Sequence, residues 1–112
     1  MTEKYTVKVS IQAQQQMREI AYYITLRLKN PEAALHLLDT LESAIMSLGE
    51  MPQRITFTEE QPWRSEGVRK MHVANFLVYF LIDENNARVQ VIAVLYEKQD
   101  QVRQLKQIDN LK

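Results

Sequence analysis

The chain has 112 residues, the length of one domain; 46% of them are hydrophobic and 25% are charged. These ordinary globular values predict a packed core and argue against disorder. Lys plus Arg and Asp plus Glu number 14 each, and the zero formal charge argues against a general nucleic-acid binder, whose affinity comes largely from phosphate neutralisation. The lack of cysteine excludes disulfides and thiolate metal sites.

The N-terminal half predicts one strand followed by two helices. Tyr5–Ser10 alternates between apolar and polar residues, which indicates a half-buried strand, and Ser10 suits a helix N-cap. The apolar residues of the first helix recur at helical spacing and are Met17, Ile20, Ala21, Ile24 and Leu28. Asn30–Pro31 begins a second helix, and a left-handed Gly49 followed by Pro52 is expected to end it. So short a joint between two amphipathic helices predicts an antiparallel helical hairpin.

The C-terminal half predicts three strands, Gly67–Val73, Phe76–Ile82 and Arg88–Tyr96, whose short turns indicate an antiparallel meander. Gln99–Lys112 is polar and loosely patterned, and is expected to be a weak C-terminal helix or a tail. The order β-α-α-β-β-β predicts a single α+β domain over residues 1–112. The hairpin is expected to cover one face of the sheet and the first strand to join its edge, which leaves the second face free for function.

Two features of the sequence indicate the cellular compartment of the protein. The first ten residues are charged and alternating, without the apolar run of a signal peptide. The longest apolar run, Phe76–Ile82, is the size of a strand rather than of a membrane span. We therefore expect a cytoplasmic protein with no membrane partner.

Seven short motifs, spread from Tyr5 to about Asp100, keep a characteristic order and spacing. They are Val7-Lys8-Val9-Ser10, Ile20-Ala21-Tyr22-Tyr23-Ile24, Asn30-Pro31-Glu32-Ala33-Ala34, Leu48-Gly49-Glu50-Met51-Pro52, Gly67-Val68-Arg69-Lys70-Met71, Asn75-Phe76-Leu77-Val78-Tyr79-Phe80 and Val89-Gln90-Val91-Ile92-Ala93-Val94-Leu95-Tyr96. Together they resemble the RelE/ParE superfamily, the toxins of bacterial type II toxin–antitoxin modules.

The resemblance implies a toxin that a cognate antitoxin silences by wrapping around it. RelE-like members cut mRNA in the ribosomal decoding site, whereas ParE-like members inhibit DNA gyrase and are not nucleases. Our first hypothesis is a RelE-like, metal-independent endoribonuclease whose partners are the ribosome and mRNA. The alternatives are a ParE-like inhibitor of DNA gyrase and a decayed member without toxicity. No cofactor is expected, and the oligomer is either a homodimer or a hetero-oligomer with the antitoxin.

The residues for the nuclease hypothesis come from the same resemblance. RNA cleavage without a metal needs a base, a cation for the transition state and an acid for the leaving oxygen. Arg69 matches the sheet arginine of RelE-like members, and Tyr96 and Lys98 match positions at the end of the last strand. These three residues form the predicted catalytic set, and Arg64 and Lys70 in the same basic segment are the predicted RNA-binding residues.

The sequence also departs from the RelE-like pattern. Leu77, Glu97 and Gln99 stand where many members carry other residues, often arginine, so a phosphate site here would lose positive charge. This departure weakens the nuclease hypothesis and favours its two alternatives.

Each candidate also has a structural interpretation. Arg69 suits a solvated strand arginine, and Tyr96 an aromatic that packs at the end of a strand. His72 suits proton transfer, but alternation places it on the side of the strand opposite to Arg69. Trp63 suits either a binding anchor or a lid on the core.

Overall fold

The computed structural model describes residues 4–97. Its elements are β1 (Thr6–Val9), α1 (Ile11–Leu28), α2 (Pro31–Met46), the 3₁₀ turns Ser47–Gly49 and Pro52–Arg54, β2 (Arg69–Val73), β3 (Phe76–Asp83) and β4 (Arg88–Tyr96). The predicted α+β order, with one strand, two helices and three strands, is confirmed. Lys98 and the predicted terminal segment Gln99–Lys112 lie outside the described residues.

The four strands form one sheet in the order β1-β4-β3-β2. β2, β3 and β4 pair antiparallel as a meander, and β1 joins the edge beside β4, as predicted. The β1–β4 pairing is parallel, with Thr6 opposite Arg88 and Val9 opposite Val91. Phe80 pairs with Val91 and Tyr79 with Ala93, so β4 carries one extra residue, Ile92, in a bulge.

The predicted helix starts are both present. Ser10 caps α1, because its hydroxyl accepts the backbone N–H of Ala13 at 3.0 Å. The side-chain oxygen of Asn30 accepts the N–H groups of Glu32 and Ala33, and Pro31 occupies the first turn of α2. Local side-chain chemistry therefore places the joint of the hairpin.

The predicted left-handed Gly49 is wrong, because Gly49 has no positive φ and α2 already ends at Met46. Gly49 instead permits a close approach of the chain that leads into β1. The N–H of Tyr5 donates to the Gly49 carbonyl at 2.7 Å, and a Cβ on Gly49 would lie 3.2 Å from the Tyr5 carbonyl oxygen. A side chain at this position would push the two segments apart.

The helical hairpin covers one face of the sheet, as predicted, with α1 lying on β4 and α2 reaching β2. The buried core residues of the helices are Ala13, Ile20, Ile24, Ala34, Leu41 and Ile45, and those of the sheet are Met71, Phe76, Val78, Phe80, Val89, Val91, Val94 and Tyr96. Full burial of each large apolar side chain contributes roughly 1.5–3 kcal/mol. The main core therefore lies between the hairpin and this face.

Beyond the end of β1, polar side chains at the start of α1 hydrogen-bond to the backbone of β4. The register with β1 ends at Val91, whose carbonyl accepts the Ser10 N–H at 2.9 Å. Further along β4, the N–H of Val94 donates to the side-chain oxygen of Gln16 at 2.9 Å, and the Ser10 hydroxyl donates to the Ile92 carbonyl at 3.4 Å. Side chains thus satisfy backbone groups that a longer first strand would have paired.

Candidate functional site

The strand register divides the predicted site residues between the two faces of the sheet. Residues that pair across antiparallel strands point to the same face. Arg69 pairs with Phe80 and Tyr96 with Phe76, and both phenylalanines are buried under the helices. Lys70 pairs with Tyr79 on the uncovered face. Arg69 and Tyr96 therefore belong to the helix-covered face, and Lys70 to the other.

Arg69 braces the loop that precedes β2. Its guanidinium donates to the Ile55 carbonyl at 2.6 Å and to the Gln53 carbonyl at 3.4 Å. The same group lies 4.1 Å from the centre of the Phe57 ring, at cation–π distance. Both hydrogen bonds come from Nη1, so this part of the guanidinium is directed at backbone carbonyls rather than at solvent.

The surroundings of Arg69 are acidic on their solvent side. Arg69 lines an open depression of about 420 Å³ together with Asp83 and Glu84 of the β3–β4 turn. The pKa of Asp83 is lowered, chiefly because the Asn86 side chain donates a hydrogen bond to its carboxylate. A carboxylate held in its charged form next to this depression repels an incoming phosphate.

Tyr96 is part of the core. Its side chain is 7% exposed, and its ring centre lies 5.0 Å from that of Phe76 and 6.1 Å from that of Tyr23. Burial raises the pKa of the Tyr96 hydroxyl, and the neighbouring Tyr23 raises it further. The hydroxyl stays protonated at neutral pH, which suits packing or proton donation but not a general base.

The described residues do not bring the predicted catalytic set together. Phe80 and Phe76, the partners of Arg69 and Tyr96, are four positions apart on β3, which corresponds to about 13 Å along the strand. Lys98, the third member, lies outside the described residues. The catalytic assignment of these three residues stays a prediction.

Of the two predicted RNA-binding residues, Lys70 attaches residues 58–67 to the uncovered face, whereas Arg64 makes a contact within that segment. The Lys70 ammonium lies 2.6 Å from a carboxylate oxygen of Glu60, whose other oxygen accepts the Thr58 hydroxyl at 2.6 Å. These two hydrogen bonds lower the pKa of Glu60, that from Lys70 more strongly. Arg64 donates to the Thr58 carbonyl at 3.3 Å. RNA binding by Lys70 and Arg64 stays a prediction.

Trp63 is the aromatic contact of the same loop. Its ring meets that of Tyr79 edge-on with 5.8 Å between centres, and the Lys70 ammonium lies 6.0 Å from the Tyr79 ring. Tyr79 is only 5% exposed, whereas Trp63 remains 47% exposed. Trp63 is thus a lid, and it covers a second, smaller cluster rather than the main core. We call residues 58–67 the strap.

The rest of the uncovered face is apolar in its middle and polar at its edges. Leu77 pairs with Leu95, and both are half-buried. His72 lies beside Leu77 on this face, opposite to Arg69 as the alternation predicts, and its ring nitrogen is 3.9 Å from a Glu97 oxygen. Lys8 occupies the far edge.

Sequence reasoning missed Glu60, Tyr79 and the two carbonyls that Arg69 binds. On the uncovered face of β3, Tyr79 is an aromatic residue between two leucines, and this was a signal that another segment of the chain packs on it. The partners of Arg69 left no signal, because backbone carbonyls carry no sequence pattern.

Residues 4–97 provide neither a candidate metal site nor a candidate membrane-spanning helix. This part of the chain contains no group of three or more His, Asp and Glu side chains that could hold a metal ion. Neither described helix is long and apolar enough to cross a membrane.

The comparisons with known proteins decide the family. Residues 7–101 match the family model described as ParE toxin of the type II toxin–antitoxin system parDE. This chain belongs to the ParE toxin family. The RelE/ParE resemblance read from the sequence motifs is therefore confirmed, while no curated protein sequence matches the toxin.

Solved structures show the same fold. One chain from the chromosomal ParDE toxin–antitoxin system of P. aeruginosa superposes on the toxin with a TM-score of 0.68 at 16% identity, covering 84% of the toxin and 97% of that chain. A chain from the RelBE2 toxin–antitoxin complex of Mycobacterium tuberculosis superposes with a TM-score of 0.59 at 16% identity. The match covers 83% of the toxin and 91% of that chain. At this identity the likeness establishes the fold alone.

Proposed function

We propose that this toxin acts by binding and inhibiting DNA gyrase and does not cut RNA. The observation that carries the proposal is the match of residues 7–101 to the ParE toxin family model. ParE-like members are the gyrase-inhibiting branch of the superfamily that the sequence resembles.

The geometry of the sheet supports the same choice. Arg69 donates to the Ile55 and Gln53 carbonyls, and Tyr96 is buried between aromatic rings. Transition-state stabilisation requires donors already aimed at the reacting group, and acid–base catalysis requires groups within hydrogen-bond reach of it. An inhibitor that acts by surface contact has no such requirement.

We further propose that a cognate antitoxin binds and silences the toxin. The two structural neighbours come from toxin–antitoxin systems, which supports a partner of this kind. A shallow apolar depression of about 340 Å³ between β1, α1 and α2 offers room for an anchoring side chain; it is lined by Val9, Gln14, Met17, Glu42, Ile45 and Met46. Antitoxin binding would stabilise the folded toxin by mass action.

The RelE-like nuclease, with ribosome and mRNA as its partners, stays the alternative. The cations Arg69, Lys70 and Arg64 motivate it, although each is engaged with carbonyl or carboxylate oxygens of the strap or of residues 53–55. For the three cations to contact RNA, binding to the ribosome would have to break these contacts.

One pair of assays distinguishes these activities. Purified toxin is added to gyrase with relaxed plasmid, and in parallel to ribosomes translating a defined mRNA whose new 5′ ends are mapped by primer extension. We expect supercoiling to fail at a toxin concentration that leaves the mRNA intact, and added antitoxin to restore supercoiling. Normal supercoiling together with discrete cuts in the decoded codon would establish the nuclease instead. No effect in either assay, with folded protein and normal growth on induction, would indicate a decayed member.

A further inference from the structure

The face of α1 that points away from the core is unusually apolar. Ala13, Ile20 and Ile24 define the buried side of the helix at 0–1% exposure. The opposite side carries residues at i, i+4, i+7, i+11 and i+15, which form one stripe along the helix; these are Ile11, Gln15, Arg18, Tyr22 and Leu26. Exposure is 75% for Ile11, 70% for Tyr22 and 56% for Leu26. We call these five residues the outer stripe.

Single exposed apolar residues are common, but an aligned set on the solvent side of an amphipathic helix marks an interaction surface. None of the five residues belongs to the main core, to which α1 contributes Ala13, Ile20 and Ile24 from its other side. Within residues 4–97, no core contact requires Ile11, Tyr22 or Leu26 to be large and apolar.

The charges on α1 indicate the chemistry of the partner. From Ile11 to Lys29 the cations are Arg18, Arg27 and Lys29, and the single acid is Glu19. The following segment, from Asn30 to Glu50, has the opposite character, with four acids and no Lys or Arg. Arg27 lies over the Tyr23 ring, 5.9 Å from its centre, so the charge of the stripe itself comes from Arg18. An apolar stripe with one cation and no acid complements an acidic, apolar protein surface.

A nucleic acid and a second copy of the toxin fit the outer stripe less well than an acidic protein surface. Large apolar side chains at three of five positions do not suit the phosphate contacts that dominate nucleic-acid binding. A second copy packed antiparallel about a two-fold axis would bring the central residue of the stripe, Arg18, against its own counterpart. The like charges would then repel at the middle of the interface.

We propose that the outer stripe is the surface through which the toxin docks on its target enzyme, and that the target presents an acidic, apolar surface to it. The proposal rests on the gyrase-inhibitor function proposed above. Tyr22 and Leu26 are its apolar anchors, and Arg18, at the middle of the stripe, steers the encounter with the acidic partner.

The test compares matched variants on the two helices. Tyr22→Ser with Leu26→Ser removes the two apolar anchors, and Arg18→Glu reverses the charge at the middle of the stripe. Leu35→Ser is the control, since Leu35 is equally exposed, at 60%, but lies on α2. We expect the double variant to raise the toxin concentration that half-inhibits supercoiling by ~10-fold or more, because hot-spot anchors carry most of the binding energy. We expect Arg18→Glu to weaken inhibition mainly at low salt, and Leu35→Ser to leave it unchanged.

Growth arrest after induction without antitoxin provides a readout that does not depend on the identity of the target. Loss of arrest in the double variant, at wild-type expression and melting temperature, supports docking through the stripe. If wild-type toxin arrests growth but leaves gyrase unaffected, the proposed function fails while the stripe is still tested by this readout. A double variant as toxic as wild type overturns the inference.

Two further measurements assign the stripe to other occupants. If the double variant is no longer captured by the cognate antitoxin, the stripe belongs to the antitoxin interface. If light scattering shows a wild-type dimer that the double variant loses, the stripe belongs to self-association. Either result overturns the docking proposal, whereas unchanged capture and unchanged mass support it.

Discussion

The two faces of the sheet use their charged and aromatic residues differently. On the helix-covered face, Arg69 lies at the margin of a continuous apolar core and Tyr96 lies inside it. On the uncovered face, the Lys70–Glu60 ion pair and the contact between the Trp63 and Tyr79 rings help to hold a largely polar strap. Removing a residue from the first face therefore opens a cavity, whereas removing one from the second releases a surface segment. The four predictions below separate these consequences.

The largest expected effect is that of truncating the covered face. Phe80→Ala empties a fully buried site and is expected to destabilise the fold by about 3–5 kcal/mol. Leu77→Ala, on the half-buried uncovered face of the same strand, is expected to cost about 1–2 kcal/mol. Urea unfolding of both variants measures the difference. Equal losses would mean that the two faces are buried to the same degree in solution.

Arg69→Ala is expected to reduce stability by about 1–3 kcal/mol, because it leaves the Ile55 and Gln53 carbonyls without their charged donor and uncovers Phe57. The same variant should inhibit gyrase like wild type at temperatures where it is folded. Calorimetry and the supercoiling assay check the two halves of this prediction. Unchanged stability with loss of mRNA cleavage would instead mark Arg69 as catalytic.

Acid is expected to release the strap before the core unfolds. The pKa of Glu60 is lowered in the folded state, so its stabilisation is present above its ordinary value near 4.5 and is lost as the pH falls through the folded pKa. The pair is partly exposed, so its contribution should stay below about 1 kcal/mol. Fluorescence of Trp63, the single tryptophan, reports the release directly. Glu60→Gln should abolish this acid-dependent change, and its persistence would place the titrating group elsewhere.

Tyr96→Phe is expected to have the smallest effect. The change keeps the ring contacts with Phe76 and Tyr23, so stability at pH 7 should change by no more than about 0.5 kcal/mol and toxicity should persist. Because the pKa of Tyr96 is raised, its contribution is present below pH 10 and is lost as the pH rises through the folded value. Thermal melting at pH 7 and above pH 10 compares the two proteins. A folded but non-toxic Tyr96→Phe variant would restore the case for proton donation.

Local patterns in the sequence were sufficient for the elements and for the sidedness of β2. They were not sufficient for β4: alternation alone would place Val89, Val91, Ala93 and Leu95 on one face, but the bulge at Ile92 moves Ala93 and Leu95 to the uncovered face. Ser10 and Asn30 cap the helices they were expected to cap, because capping needs only a side-chain oxygen and two or three following N–H groups. Alternation also separated Arg69 from Lys70 and His72, since side chains along a strand point to opposite faces with period two. Gly49 was misread because a close backbone approach leaves no local pattern.

The sequence by itself determined the order of the elements, the sidedness of β2 and the family, since helical and strand periods and caps are encoded over a few neighbouring positions. Only the tertiary structure decided that β1 pairs parallel with β4, that Arg69 binds carbonyls 14 and 16 residues away, and that Glu60 reaches Lys70. These contacts depend on the path of a loop without periodicity. The functional consequence follows from the same reason: the charge of a residue can be read from its name, but whether that charge is free to act depends on partners that only folding supplies.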